Sequence, residues 1–128
     1  MTDVVLIRGL PGSGKTTYAK KHFSSHVLIE EDDYFMIGDE YFFDHGKLAD
    51  AHKWCQWRFD QLVKVGQPVV VANTFTRYWE MKHYLLAAPN AKVIRCTGEW
   101  PNTHGVPVEA VQRMRDRFED LLGETYAH

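Results

Sequence analysis

Residues 8–17 read RGLPGSGKTT, in which Gly9, Gly14, Lys15 and Thr16 satisfy the spacing G-x-x-x-x-G-K-[ST]. Each residue type in that spacing has a physical reason. Gly9, Gly12 and Gly14 tolerate backbone angles that turn successive N–H groups toward one point and let phosphate oxygens approach the chain. A helix opening at the end of the loop adds the positive end of its dipole. Lys15 is expected to reach the β- and γ-phosphates, and Thr16 to offer its hydroxyl to a magnesium ion. Gly9, Leu10, Pro11, Gly12, Ser13, Gly14, Lys15, Thr16 and Thr17 together are read as the cradle for a nucleoside triphosphate. A glycine-rich strand-to-helix turn without a ligand is the plainer reading. The flanking pattern, a strand before and a helix after, favours the cradle.

The next chemistry-bearing group is the acidic run Glu30, Glu31, Asp32, Asp33 at the end of a short apolar stretch. In a parallel α/β sheet, ligands sit beyond the carboxyl ends of the strands, so this run falls on the same rim as the glycine loop. Three roles fit Asp32 and Asp33: a general base for a hydroxyl attacking the γ-phosphate, a partner of the magnesium shell through Asp32, or a solvated acidic surface. The valine-rich segment 68–73 ends in Ala72, Asn73 and Thr74. Asn73 and Thr74 can bind water or substrate, or cap the following helix.

Residues 98–107, GEWPNTHGVP, read as a lid with Gly98 and Gly105 as hinges and His104 as its ionisable group. Arg113 and Arg117 share a helix face. Arg113 is the candidate for stabilising charge on the transferred group, against the plainer reading of a solvated arginine face. Trp54, Trp57, Arg58, Tyr78 and Trp79 supply the aromatic and cationic side chains that a nucleobase platform needs, although helical spacing sends at least one tryptophan into the core.

The elements that must position these groups can be read from hydrophobic pattern. Strands are expected at 4–7, 26–30, 68–73 and 91–97, and helices at 15–23, 47–66, 77–88 and 107–123. The aromatic stretch 34–46 is expected to be a loop over the site. Strand–helix alternation with continuously apolar strands implies a parallel sheet with right-handed crossovers. At 128 residues the chain suits one domain, 1–128. A formal charge of -2 gives no general attraction to nucleic acid or membrane, so any basic groove is local. Two cysteines outside any CxxC spacing suit a reducing, cytoplasmic location, and nothing reads as a leader or a membrane span.

Beyond the glycine loop, the blocks EEDDYF, VVVANTFT and HGVP follow in order. Together they resemble the P-loop kinase family that includes the kinase domain of bacteriophage polynucleotide kinase. Short cellular relatives with DDYF, WCQ, NTFT..WEM and HGVP blocks resemble the chain along nearly its whole length. The resemblance implies a three-layer α/β P-loop NTPase fold with a short parallel sheet flanked by helices. It implies an ATP- and Mg2+-dependent transfer of the γ-phosphate to a hydroxyl acceptor, a nucleic-acid 5′-hydroxyl or a nucleoside. Asp32 then takes the general-base position. The chain carries Phe35 where the polynucleotide kinase has an arginine, and Trp100 and Pro101 where the family's lid has one. Two other readings therefore stand beside the first: an ATP-binding module with slow hydrolysis that acts as a switch or binds a partner, and a small-molecule kinase acting on an antibiotic or a sugar.

Overall fold

The computed structural model describes residues 3–101 and 105–128. Seven strands and four helices follow in the order β1 Val4–Arg8, α1 Lys15–His22, β2 Val27–Glu30, β3 Met36–Ile37, β4 Glu40–Tyr41, α2 Leu48–Lys64, β5 Val69–Asn73, α3 Tyr78–Ala87, β6 Lys92–Cys96, α4 Val108–Arg117 and β7 Thr125–Ala127. Five strands form one parallel sheet in the order β2-β5-β1-β6-β7. The short β3–β4 hairpin stands apart.

Alternation along the two central strands builds the three layers. Val4 and Leu6 of β1, with Val69 and Val71 of β5, pack on Cys55 and Phe59 of α2 and Met81 and Tyr84 of α3. Val5, Ile7, Val70 and Ala72 face the other way, onto Ala19 of α1. Every residue of β1 and β5 is buried, as continuous apolar runs in a two-sided sheet require. The expected three-layer α/β fold is therefore the observed one. Among the described residues no helix is long and apolar enough to cross a membrane.

Two expectations change. The stretch 34–46 is not a plain loop: Glu31–Phe35 forms a 3-10 turn, and β3 and β4 pair across Gly38. The last helix stops at Arg117, not at residue 123. Phe118 breaks it by sliding under two guanidinium groups, with the Arg8 and Arg95 carbons 4.2 and 4.4 Å from its ring centre. The Glu119 N–H then donates to the Thr76 carbonyl at 2.7 Å, and the chain turns back to add β7 beside β6. The helical spacing of 107–123 hid this strand, because cation–π and main-chain contacts to distant residues decide where the helix ends.

Arg8, at the inner end of β1, holds this return path. Its guanidinium donates to the Phe75 and Thr76 carbonyls and pairs with Glu124 at 2.9 Å, with both side chains sealed from solvent. Removing one partner of a buried pair strands a charge. Glu124→Ala is expected to lower unfolding free energy by about 3–5 kcal/mol in urea titration. A loss under about 1 kcal/mol would mean that the two carbonyls satisfy Arg8 alone.

Candidate active site

The glycine loop runs from the buried end of β1 into the first turn of α1. Gly12 (φ 83°) and Gly14 (φ 92°) lie in the left-handed region that side chains resist. Four of the loop's carbonyls find donors. The Leu10 carbonyl accepts from Ser13 N–H at 3.0 Å, that of Gly12 from Trp100 N–H at 2.8 Å, that of Ser13 from Gly98 N–H at 3.2 Å, and that of Gly14 from Tyr18 N–H at 2.9 Å. Residues 98–100 thus strap the outer side of the loop. The N–H groups opening α1 have no acceptor within the helix and face an incoming anion. The Lys15 ammonium folds back to donate to the Leu10 carbonyl at 3.1 Å. Burial lowers its pKa, with Asp32 and Glu30 opposing. A cation enclosed in this way gains from a phosphate beside it.

The loop opens into a cleft of about 1000 Å³. Pro11, Gly12, Ser13, Gly14, Lys15, Thr16 and Thr17 line it, whereas Gly9 and Leu10 line a shallower depression beside it. Of the two aspartates, Asp32 lines the cleft and Asp33 does not. Asp33 instead closes the 3-10 turn by accepting the Glu30 N–H at 3.3 Å, and burial raises its pKa. The structure therefore brings Asp32 to the loop and gives Asp33 a capping contact. Arg113 lines the opposite wall from α4. Arg117 donates to the Thr76 hydroxyl at 3.1 Å. Asn73 does not cap α3, which opens at Tyr78 after Arg77. Its Oδ1 accepts the Glu31 N–H at 2.7 Å and so fixes the acidic segment against β5. Gly98 is tied to Ser13 rather than free to hinge. Gly105 has φ 66°, and His104 lies outside the described residues.

Three residues here were not singled out by sequence. The first is Glu30, whose carboxylate accepts the Thr16 hydroxyl on both oxygens at 2.9 and 3.0 Å. Burial raises its pKa, Asp33 and Asp32 add to this, and the Thr16 hydrogen bond and Lys15 oppose it. Strand parity carried the signal. Leu28 of β2 packs in the cluster under α1, and Glu30, two residues on, shares its face. The second is Tyr41, whose hydroxyl donates to Asp32 Oδ1 at 3.2 Å from the unforeseen hairpin. The third is Trp100, which lines the cleft, while Trp54, Trp57, Arg58, Tyr78 and Trp79 do not. Trp54 packs against the core and faces Tyr34 instead, and Trp57 and Trp79 point to solvent.

Thr16, Glu30 and Asp32 supply only oxygen donors, the set a magnesium ion takes. Among the described residues no cluster of three or more His, Cys, Asp or Glu forms a metal cage. That fits an ion held largely by phosphates and water, with one or two protein oxygens.

The AAA domain family matches residues 4–99. The chain belongs to the AAA domain family. The human NEDD4-binding protein 2 is 35% identical over 93% of the chain, and the chain spans 8% of that protein. A sugar kinase from Janibacter sp. superposes with TM-score 0.70 at 15% identity, covering 99% of this chain and 84% of that one. A chain of the Pnkp1/Rnl/Hen1 complex superposes with TM-score 0.57 at 18% identity, covering 88% and 38%. This AAA domain thus has the fold of P-loop kinases, and one of the similar chains comes from the Pnkp1/Rnl/Hen1 RNA repair complex.

One ion pair on the cleft rim gives a pH signature. His52 Nδ1 lies 2.8 Å from Glu31, and that hydrogen bond raises its pKa above the ordinary value, against partial desolvation. A histidine with a raised folded pKa stabilises fully below its unfolded value, about 6.5, and loses that contribution as pH rises through the folded one. The stability gap between wild type and His52→Gln should therefore be wider at pH 5.5 than at pH 9 in thermal melts. An equal gap at both would mean that the pair carries no charge.

Proposed function

We propose that the domain is an ATP- and Mg2+-dependent phosphotransferase that moves the γ-phosphate to a hydroxyl acceptor. The observation that carries this is the placement of Asp32 in one cleft with the strapped loop, Lys15 and Thr16. The fold shared with P-loop kinases supports it.

In this reading the loop amides and Lys15 hold the β- and γ-phosphates. A bound magnesium ion would neutralise charge on the phosphate oxygens, with Thr16 as its protein oxygen. Glu30 accepts the Thr16 hydrogen, which leaves the hydroxyl lone pairs free for a cation. Many P-loop enzymes place such an acid at the end of the neighbouring strand; here that strand, β5, ends in Ala72 and Asn73, and Glu30 at the end of β2 supplies the carboxylate instead. Asp32 takes the acceptor's proton as the acceptor oxygen bonds to the γ-phosphorus. The bond from that phosphorus to the β,γ-bridging oxygen breaks, and the diphosphate departs with its electrons. Tyr41 steadies the Asp32 carboxylate, and Arg113 supplies charge from α4.

The acceptor end favours an alcohol without phosphates. Phe35 is buried among Tyr34, Tyr41 and Phe43, and offers no cation to an acceptor phosphate. Tyr41, Phe43 and Leu48 give that end apolar surface, with His45 and His52 beside them. A nucleoside or a sugar alcohol fits this surface better than a polynucleotide track, which needs several phosphate contacts. The slow-hydrolysis reading is favoured by one feature, the placement of Trp100 and Pro101 where a lid arginine would stand.

These readings separate in an assay with γ-labelled ATP and a panel of 5′-hydroxyl oligonucleotides, nucleosides and sugars. Label transfer to an acceptor should fall by ~10²–10⁴-fold in Asp32→Asn with ATP affinity retained. Lys15→Ala should lose ATP binding itself. Release of labelled phosphate with no labelled acceptor, unchanged in Asp32→Asn, would select the hydrolytic module instead. Glu30→Gln should weaken magnesium-dependent ATP binding, read by titrating magnesium at fixed nucleotide, with little effect on metal-free binding.

A further inference from the structure

We infer that Trp100 is the platform on which the nucleobase of the bound nucleotide stacks, an inference that rests on the nucleotide reading of the cleft given above. Topology sets the direction of the ligand. The sheet order β2-β5-β1-β6-β7 places the acidic segment after β2 on one flank of the glycine loop, and the segments after β6 and β7 on the other. A nucleotide whose γ-phosphate faces Asp32 across β5 must send its base toward β6 and β7. Trp100 and Pro101 follow β6 there, and His128 follows β7; all three line the cleft.

Trp100 is fixed at that flank. Its N–H is bonded to the Gly12 carbonyl, and its ring lies back across the loop. A Cβ on Gly14 would stand 2.8 Å from the indole Cζ3, and a Cβ on Gly98 would collide with the same atom. Two glycines far apart in sequence therefore make room for one ring. The residue is still 56% exposed and lines both the cleft and the depression beside it, so it is anchored on the loop with surface left for a ligand. The rest of that end suits a flat ligand: Tyr18 and His22 lie with ring centres 4.3 Å apart, and His128 is held within 2.8 Å of the Thr97 hydroxyl.

Stacking reads the face of a base and not its edge. The platform therefore accepts either purine, and ATP and GTP should bind with similar affinity. It also makes the contribution of Trp100 depend on the ligand having a base at all.

The test compares ATP, GTP and inorganic tripolyphosphate by calorimetry on wild type, Trp100→Ala, Trp100→Phe and Gly98→Ala. Trp100→Ala should weaken ATP and GTP alike by about 10- to 100-fold and leave tripolyphosphate within about twofold. Trp100→Phe should recover most of the loss. Gly98→Ala, which displaces the ring without deleting it, should reproduce the alanine variant. Retained tripolyphosphate binding shows that each variant has kept its loop. Unchanged ATP affinity in Trp100→Ala overturns the inference while the nucleotide reading stands. So does an equal loss for tripolyphosphate, which would make Trp100 a prop for the loop. A wild-type protein that binds none of the three overturns both.

Discussion

The structure depends on one constraint: the carbonyls of Leu10, Gly12, Ser13 and Gly14 each have a donor, which fixes the glycine loop and leaves the amides that open α1 for an anion. Two left-handed glycines set the turn, and the 98–100 strap holds it by donating twice, from Gly98 and Trp100. The result is a concave set of donors beside an enclosed ammonium, Lys15, whose pKa burial lowers. Such an arrangement is poorly satisfied by water alone and well satisfied by an anion of several oxygens. Everything else in the cleft is placed relative to that point.

The sheet supplies the placement. Because β1 and β5 are buried on both faces, their carboxyl ends cannot shift without exposing core on one side or the other. Asn73, at the end of β5, then grips the Glu31 main chain, so the acidic segment is located by the sheet and not by its own mutually repelling charges. On the far flank, Arg8 and Arg95 hold Phe118 between them, Arg95 also pairs with Asp120, and Arg8 pairs with Glu124. That knot returns the chain to β7 and closes the cleft at His128. The charged cluster under the C-terminal turn is thus structural.

Much of this was legible in the sequence. The loop, four of the five strands of the main sheet and the layers follow from glycine spacing and runs of β-branched residues, which are local and strongly patterned. From its residue type and place Asp32 was legible only as one of a pair, and the family resemblance alone preferred it to Asp33. A 3-10 turn decides which carboxylate faces the loop, and that turn is set by contacts to β2 and β5. Glu30 was legible in principle from strand parity, since it shares a face with Leu28, yet the acidic run around it masked the alternation. Strand β7 was not legible, because GETYA after a helical pattern carries no signal until Phe118 meets two distant arginines. Trp100 was visible only as a departure from a family lid. Its contact with Gly14 and Gly98 joins residues that no local window contains.

The central claim is that the loop is an anion cradle with a base across the rim. A crystal structure with a non-hydrolysable ATP analogue and magnesium tests it most directly. The account predicts the β-phosphate within about 3 Å of the amides from Gly12 to Thr16, with the γ-phosphate turned toward Asp32. A nucleotide bound away from the loop, or one whose γ-phosphate points to the side opposite Asp32, would contradict it.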